Sequence, residues 1–135
     1  MSIFKTGSCK CGNVKFELRS KVEMVANCHC NTCRKMSGAA FSTLVVADGG
    51  GWKFIAGSDE VNAYPVTESG TKHFCRRCGS PIYILNTKLP GKYLIPIGAI
   101  DDPSGLTPAM NVFCESMLSW VPSVADIASF DQFPG

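Results

Sequence analysis

Alternation of apolar and polar residues dominates the chain. Val14, Phe16 and Leu18 alternate with Lys15, Glu17 and Arg19, the period-2 pattern of a strand with one buried face. Residues 22–27 read as the partner of that strand. Residues 41–46 are an apolar, β-branched run, Asp48-Gly49-Gly50-Gly51 is a turn, and residues 52–56 return from it. Residues 61–66 contain Pro65, which has no N–H to donate to a ladder and so suits an edge strand. Further strands are expected at residues 71–74, 82–85, 93–97 and 110–114. Helices are expected only as short pieces. One starts near Asn31 and runs to about Met36; another follows Ser123, an N-cap with Asp126 three residues on. No linker and no long-period repeat divides the chain, so the pattern predicts one mainly β domain over residues 1–135.

Composition narrows the function. The 135 residues are 45% apolar, enough for one sizeable core, and 18% charged, which argues against disorder. Thirteen basic residues against eleven acidic give +2, which excludes a strongly cationic nucleic-acid binder. No basic stripe or aromatic platform is visible either. No run of 18 apolar residues exists to span a membrane. The first ten residues show no apolar h-region, so a cytoplasmic location is expected, where thiols stay reduced.

In that setting the cysteines become the main chemical signal. There are eight: Cys9, Cys11, Cys28, Cys30, Cys33, Cys75, Cys78 and Cys114. Cys-x-Cys and Cys-x-x-Cys pairs close almost no loop, so disulfides there would constrain little chain entropy. Metal binding is the stronger reading. Cys9-Lys10-Cys11-Gly12 and Cys75-Arg76-Arg77-Cys78-Gly79 each place a glycine after the second cysteine. A glycine there supplies the φ > 0 conformation that closes a metal knuckle. Four thiolates from two such turns make a closed tetrahedral site suited to structural Zn²⁺.

Cys28-His29-Cys30-Asn31-Thr32-Cys33-Arg34-Lys35 is different. Three thiols from one loop fill three vertices and leave the fourth open, the pattern of a reactive zinc. Zn²⁺ with three thiolates is a poor Lewis acid toward water, and its vacancy favours a soft anionic ligand such as a small thiolate. A sulfur held deprotonated there is a nucleophile, and its natural electrophile is a small carbonyl compound. Lys10, Arg34, Lys35, Arg76 and Arg77 either offset the thiolates or are solvated charges. With both metals bound the net charge is about −1. His29 is expected to point away from the metal and bond to backbone or solvent, and His73 to be a satisfied strand residue. Cys114, beside Val112 on a candidate strand, is expected as a packed core thiol; as a fourth ligand it would instead make both metals structural. Ser37-Gly38 and Gly49-Gly50-Gly51 lack the Lys-Ser/Thr of a phosphate loop.

Three blocks carry a resemblance. They are Gly7-Ser8-Cys9-Lys10-Cys11-Gly12-Asn13-Val14, Cys28-His29-Cys30-Asn31-Thr32-Cys33-Arg34-Lys35-Met36-Ser37-Gly38 and His73-Phe74-Cys75-Arg76-Arg77-Cys78-Gly79-Ser80-Pro81-Ile82. In order and gaps they resemble the glutathione-dependent formaldehyde-activating (GFA) family, as does the end from Asn111 to Trp120. The resemblance implies a Mss4-like fold of packed antiparallel sheets with zinc-knuckle turns and one or two short helices. It implies two Zn²⁺ per chain, a structural one on Cys9, Cys11, Cys75 and Cys78 and a catalytic one on Cys28, Cys30 and Cys33. The implied activity is that of a carbon–sulfur lyase resembling S-(hydroxymethyl)glutathione synthase, adding a small thiol such as glutathione to a small aldehyde such as formaldehyde, and the reverse; composition adds the expectation of no nucleic-acid or membrane partner. Two positions depart from the family's closing motif: Asn111 stands where His is usual, and Met117 where a basic residue is usual. The competing function is a non-catalytic zinc-binding interaction module of the same fold, which needs only the closed site.

Overall fold

The computed structural model describes residues 2–135. Among them are nine strands: β1 (Ser2–Ser8), β2 (Lys15–Cys28), β3 (Ser42–Asp48), β4 (Trp52–Ala56), β5 (Val61–Pro65), β6 (Gly70–Cys75), β7 (Pro81–Asn86), β8 (Lys92–Pro96) and β9 (Met110–Val112). The one α-helix among them, α1, spans Asn31–Ser37, close to its expected bounds. Strands neighbour one another in the order β1-β2-β3-β8-β7-β6-β5, and β4 and β9 also pair with β2. All pairings are antiparallel except that of β2 with β9. The mainly β reading therefore holds, with β5 and its Pro65 at an edge.

β2 organises the fold. Its first half lies between β1 and β4, and its second half between β3 and β9. The expectation that residues 22–27 pair with the strand at Val14 is corrected: both belong to one 14-residue strand. No turn-forming Gly, Pro, Asn or Asp stands between Arg19 and Val22 to reverse the chain. The ladder with β3 instead shifts register between Val22 and Met24. Val22 and Val25 both reach the main core although three residues apart, so one extra residue is absorbed there as a bulge. That bulge bends β2 from one sheet layer into the next.

Two other expectations change. β4 pairs with β2 rather than with β3, in the register Leu18↔Trp52 and Phe16↔Phe54. The Trp52 ring stacks on Phe16 at 4.1 Å, which fixes that choice. Residues 121–126 form a 3-10 helix with Pro122 in its first turn, and Ser123 lies inside it rather than at its cap. Pro122 fixes its own φ and lacks an N–H, which suits the opening of a helix at Val121 rather than after Ser123.

The core sits between the sheet layers. Val14 just before β2, Phe16 and Leu18 of β2, Val45 and Ala47 of β3, Ile82 of β7 and Ile95 of β8 are all buried in it. Burying each large apolar side chain stabilises the fold by about 1.5–3 kcal/mol. β3 is apolar on both faces. Val45 and Ala47 face this core, while Leu44 packs into a second cluster with Cys28, Cys33 and Ile84. The second cluster places the three-cysteine loop on the opposite face of the sheet. No helix among the described residues is long and apolar enough to cross a membrane.

Candidate metal centres and the adjoining cleft

Cys9 and Cys11 lie in the loop joining β1 to β2; Cys75 ends β6, and Cys78 lies in the turn before β7. Gly12 and Gly79 adopt φ of +83° and +79°, as the knuckle reading requires. Their N–H groups donate to Cys9 O at 3.1 Å and Cys75 O at 2.8 Å, closing two matching turns. The turns are tied together where the Lys10 N–H donates to Ser80 Oγ at 3.0 Å. Cys9 Sγ lies 3.5 Å from Cys11 Sγ, and Cys11 Sγ lies 3.8 Å from Cys75 Sγ. All four sulfurs are within 4.8 Å of one another.

The second group is built by the end of β2 and the start of α1. Cys28 is the last residue of β2, Cys30 caps α1 and Cys33 lies in its first turn. Cys30 Sγ accepts the Cys33 N–H at 3.3 Å and lies 3.4 Å from Cys28 Sγ. These three sulfurs also lie within 4.8 Å of one another. Cys114 is not in this group. Phe113 takes φ 58°, which ends β9, and Cys114 begins an exposed 3-10 turn. The expectation of a core-facing Cys114 is thereby corrected: its thiol reaches only Asn111 O, at 3.6 Å.

Both groups fit a tetrahedral thiophilic ion. A Zn–S bond of about 2.3 Å gives tetrahedral S···S edges of about 3.8 Å. The observed separations of 3.4–3.8 Å have that scale. Electrostatics agree. Cys78 is held down at about 5 by the Ser80 hydroxyl and N–H. Cys11 is pushed up to about 11: the Asn13 N–H favours its thiolate, but desolvation and the neighbouring sulfurs outweigh it. In the other group burial pushes Cys33 up, with Cys28 and Cys30 adding to it. Cys30 is shifted down, because donors at Cys33 and its neighbours overcome its burial. Packed thiols of this kind cannot all ionise on their own, and a bound dication removes that conflict.

The surrounding polar groups differ from expectation. His29 is fully buried and bonds to a side chain, not to backbone or solvent: its Nε2 lies 3.0 Å from Asn111 Oδ1. That oxygen only accepts, so Nε2 carries the proton, and the buried Nδ1 has no partner. Asn111 Oδ1 also accepts from Asn27 Nδ2 at 3.1 Å, and Asn27 Oδ1 accepts from Thr43 Oγ1 at 2.6 Å. Asn111 thus braces the cysteine loop. Arg34 donates to Ser116 O at 2.8 Å and to Asn31 Oδ1 at 2.6 Å, joining the loop to the C-terminal segment. Arg76 and Arg77 both pair with Glu60. Arg76 first, then Arg77, holds the Glu60 carboxyl down at about 2. His73 stacks on Tyr83 at 4.3 Å, yet its buried Nδ1 lacks a partner, so it is not fully satisfied.

Beside the three cysteines lies a cleft of about 500 Å³. Its wall follows from register. Met24, Ala26 and Cys28 share one face of β2, and Met24 pairs with Val46, Val46 with Leu94, and Leu94 with Ile84. A row of apolar side chains therefore crosses four strands and leads to the cysteine loop. The alternation of Met24, Ala26 and Cys28 in β2 and of Leu44 and Val46 in β3 contained this signal; the strand pairing that assembles it has no local signature.

Comparison with known proteins agrees with this picture. A Halomonas elongata protein named "Putative glutathione-dependent formaldehyde-activating enzyme" is 27% identical over 122 residues, covering 85% of this chain and 78% of that protein. A crystal structure of a Rhodobacter sphaeroides protein superposes with a TM-score of 0.61 at 20% identity, covering 76% of this chain and 91% of that one. Residues 4–116 match the family described as glutathione-dependent formaldehyde-activating enzyme, and the chain belongs to that family.

Proposed function

We propose that the chain is a zinc-dependent enzyme of carbon–sulfur lyase type. It adds a small, glutathione-like thiol to a small aldehyde such as formaldehyde and catalyses the reverse. Residues 1–135 act as one domain, with a structural zinc on Cys9, Cys11, Cys75 and Cys78 and a catalytic zinc on Cys28, Cys30 and Cys33. Its setting is the cytoplasm and its partners are small molecules. The observation that supports this best is the contrast between the groups: four gathered thiols in one, three beside an open cleft in the other.

A zinc ion on these three thiolates would supply a soft, thiophilic position at which a small thiol loses its proton and stays nucleophilic. The Cys33 N–H holds Cys30 Sγ in place, and the Asn111–His29 bond holds the residue between Cys28 and Cys30. The apolar wall excludes water from the attacking sulfur. The C–S bond forms as the carbonyl π pair moves to oxygen; the proton given up by the thiol passes to solvent at the mouth of the cleft, and the oxygen takes one back from there, so thiol and aldehyde sum to the hydroxyalkyl thioether. The reverse step breaks the same bond.

Exchange NMR of a glutathione–formaldehyde equilibrium tests the reading. The zinc-loaded protein should raise the exchange rate, and Cys30→Ala should return it to the spontaneous rate while keeping the fold. Equal exchange with both proteins would contradict it. One observation favours the interaction-module alternative: Trp120, Val124, Ile127, Phe130 and Phe133 are 52–93% exposed. On that reading no zinc-loaded sample exceeds the spontaneous rate.

A further inference from the structure

We propose that the sulfur-bearing reactant has an uncharged hydrocarbon body, so that the site takes a small alkyl or aryl thiol in preference to glutathione. The inference rests on the thiol reading above and concerns which thiol. Sulfur is the atom suited to the three-cysteine centre, so whatever is bonded to it occupies the space next to Cys28, Cys30 and Cys33. That space is the cleft lined by Met24, Leu44, Val46, Ile84, Leu94 and Met110. No Lys, Arg, His, Asp or Glu lines it. Leu44, Val46 and Ile84 are each only 6–7% exposed and form its floor, while Met24 and Met110 stand at its exposed rim.

Glutathione brings two carboxylates and an ammonium. A carboxylate taken into such a wall loses hydration and gains no partner. Three thiolates around a dication leave the centre itself net negative, which repels it further. Two lysines, Lys35 and Lys72, line a neighbouring groove that shares Thr32, Met36 and Val66 with the cleft; neither lines the cleft beside the cysteines. There the Lys72 ammonium already donates to Met36 O at 2.7 Å. Asn111 and Met117 carry no charge and do not line the cleft.

Calorimetric titration of the zinc-loaded protein with ethanethiol, propanethiol, butanethiol and glutathione reads this directly. Each methylene buried should tighten binding about fourfold, and butanethiol should bind about fifteenfold tighter than ethanethiol. Glutathione should bind more weakly than butanethiol. Propanol and butanol, run alongside, report the cleft without the sulfur and should bind more weakly than the matching thiols. Met24→Lys, at a position 38% exposed and so tolerant of change, should shift the balance severalfold toward glutathione. Affinities flat in chain length, with glutathione as tight as butanethiol, would overturn the inference and leave the thiol reading standing. Thiols no tighter than alcohols would overturn both. A glutathione-to-butanethiol ratio unchanged in Met24→Lys would overturn the charge argument.

Discussion

Asn111→Ala should weaken the fold and, selectively, the three-cysteine centre. The Asn111 side chain is exposed, which on its own predicts a small effect. Its Oδ1, however, is the acceptor for His29 Nε2 at 3.0 Å and for Asn27 Nδ2 at 3.1 Å. His29 is fully buried and its Nδ1 already has no partner. Removing the acceptor leaves a buried N–H unsatisfied, at a cost of about 1–3 kcal/mol. For a chain of this size about 3–5 °C of thermal midpoint corresponds to 1 kcal/mol, so a fall of about 3–15 °C is expected. Asn111→Asp keeps an acceptor for both donors and should fall much less. Because His29 stands between Cys28 and Cys30, metal release from that loop should speed up in Asn111→Ala while the four-cysteine centre is unchanged. Differential scanning calorimetry and a chelator-competition time course read the two effects. An unchanged midpoint and unchanged release from Asn111→Ala would refute the bracing role.

On the proposed assignment Cys75→Ala removes one of four ligands of a structural zinc whose binding energy is folding energy, so it should lose soluble protein, whereas Cys30→Ala should stay soluble and folded by circular dichroism; equal losses would contradict the division of roles. Cys114→Val, on an exposed turn outside both groups, should change stability by no more than about 0.5 kcal/mol and keep both zinc ions by elemental analysis; loss of one would make it a ligand. Glu60 is held at about 2, below its ordinary 4.5, so its pairing with Arg76 and Arg77 stabilises fully above pH 4.5 and is lost as pH falls from there through about 2. Glu60→Gln should therefore melt below wild type at pH 7, with the gap closing as the pH is lowered below 4.5; a constant gap would contradict the ion-pair account.

Much of the fold was legible because it rests on local signals. Val14, Phe16 and Leu18 announced their buried face, Pro65 its edge, and Gly12 and Gly79 their left-handed turns. The cysteine groups were legible for the same reason, since ligand spacing is a local property. What failed were choices made by tertiary contact. β1 has little apolar alternation of its own and exists by pairing with β2. The bulge at Val22/Met24 turned an expected hairpin into one long strand. Trp52 chose β2 through Phe16, not through the turn that precedes it. Cys114 left its expected strand because Phe113 takes a left-handed conformation that its residue type gives no hint of. The His29–Asn111 bond and the apolar cleft join residues far apart in sequence, so neither had a local signature.

The central claim is that one chain holds a closed metal centre and an open one. X-ray absorption spectroscopy at the zinc edge, with elemental analysis of protein purified under reducing conditions, tests it most directly. The account predicts two zinc ions per chain and an average first shell of between three and four sulfurs, with a lighter fourth scatterer at half the zinc that is replaced by sulfur when a small thiol is added. One zinc per chain, with Cys28, Cys30 and Cys33 free to thiol reagents, would contradict it, as would a full four-sulfur shell at both sites before any thiol is present.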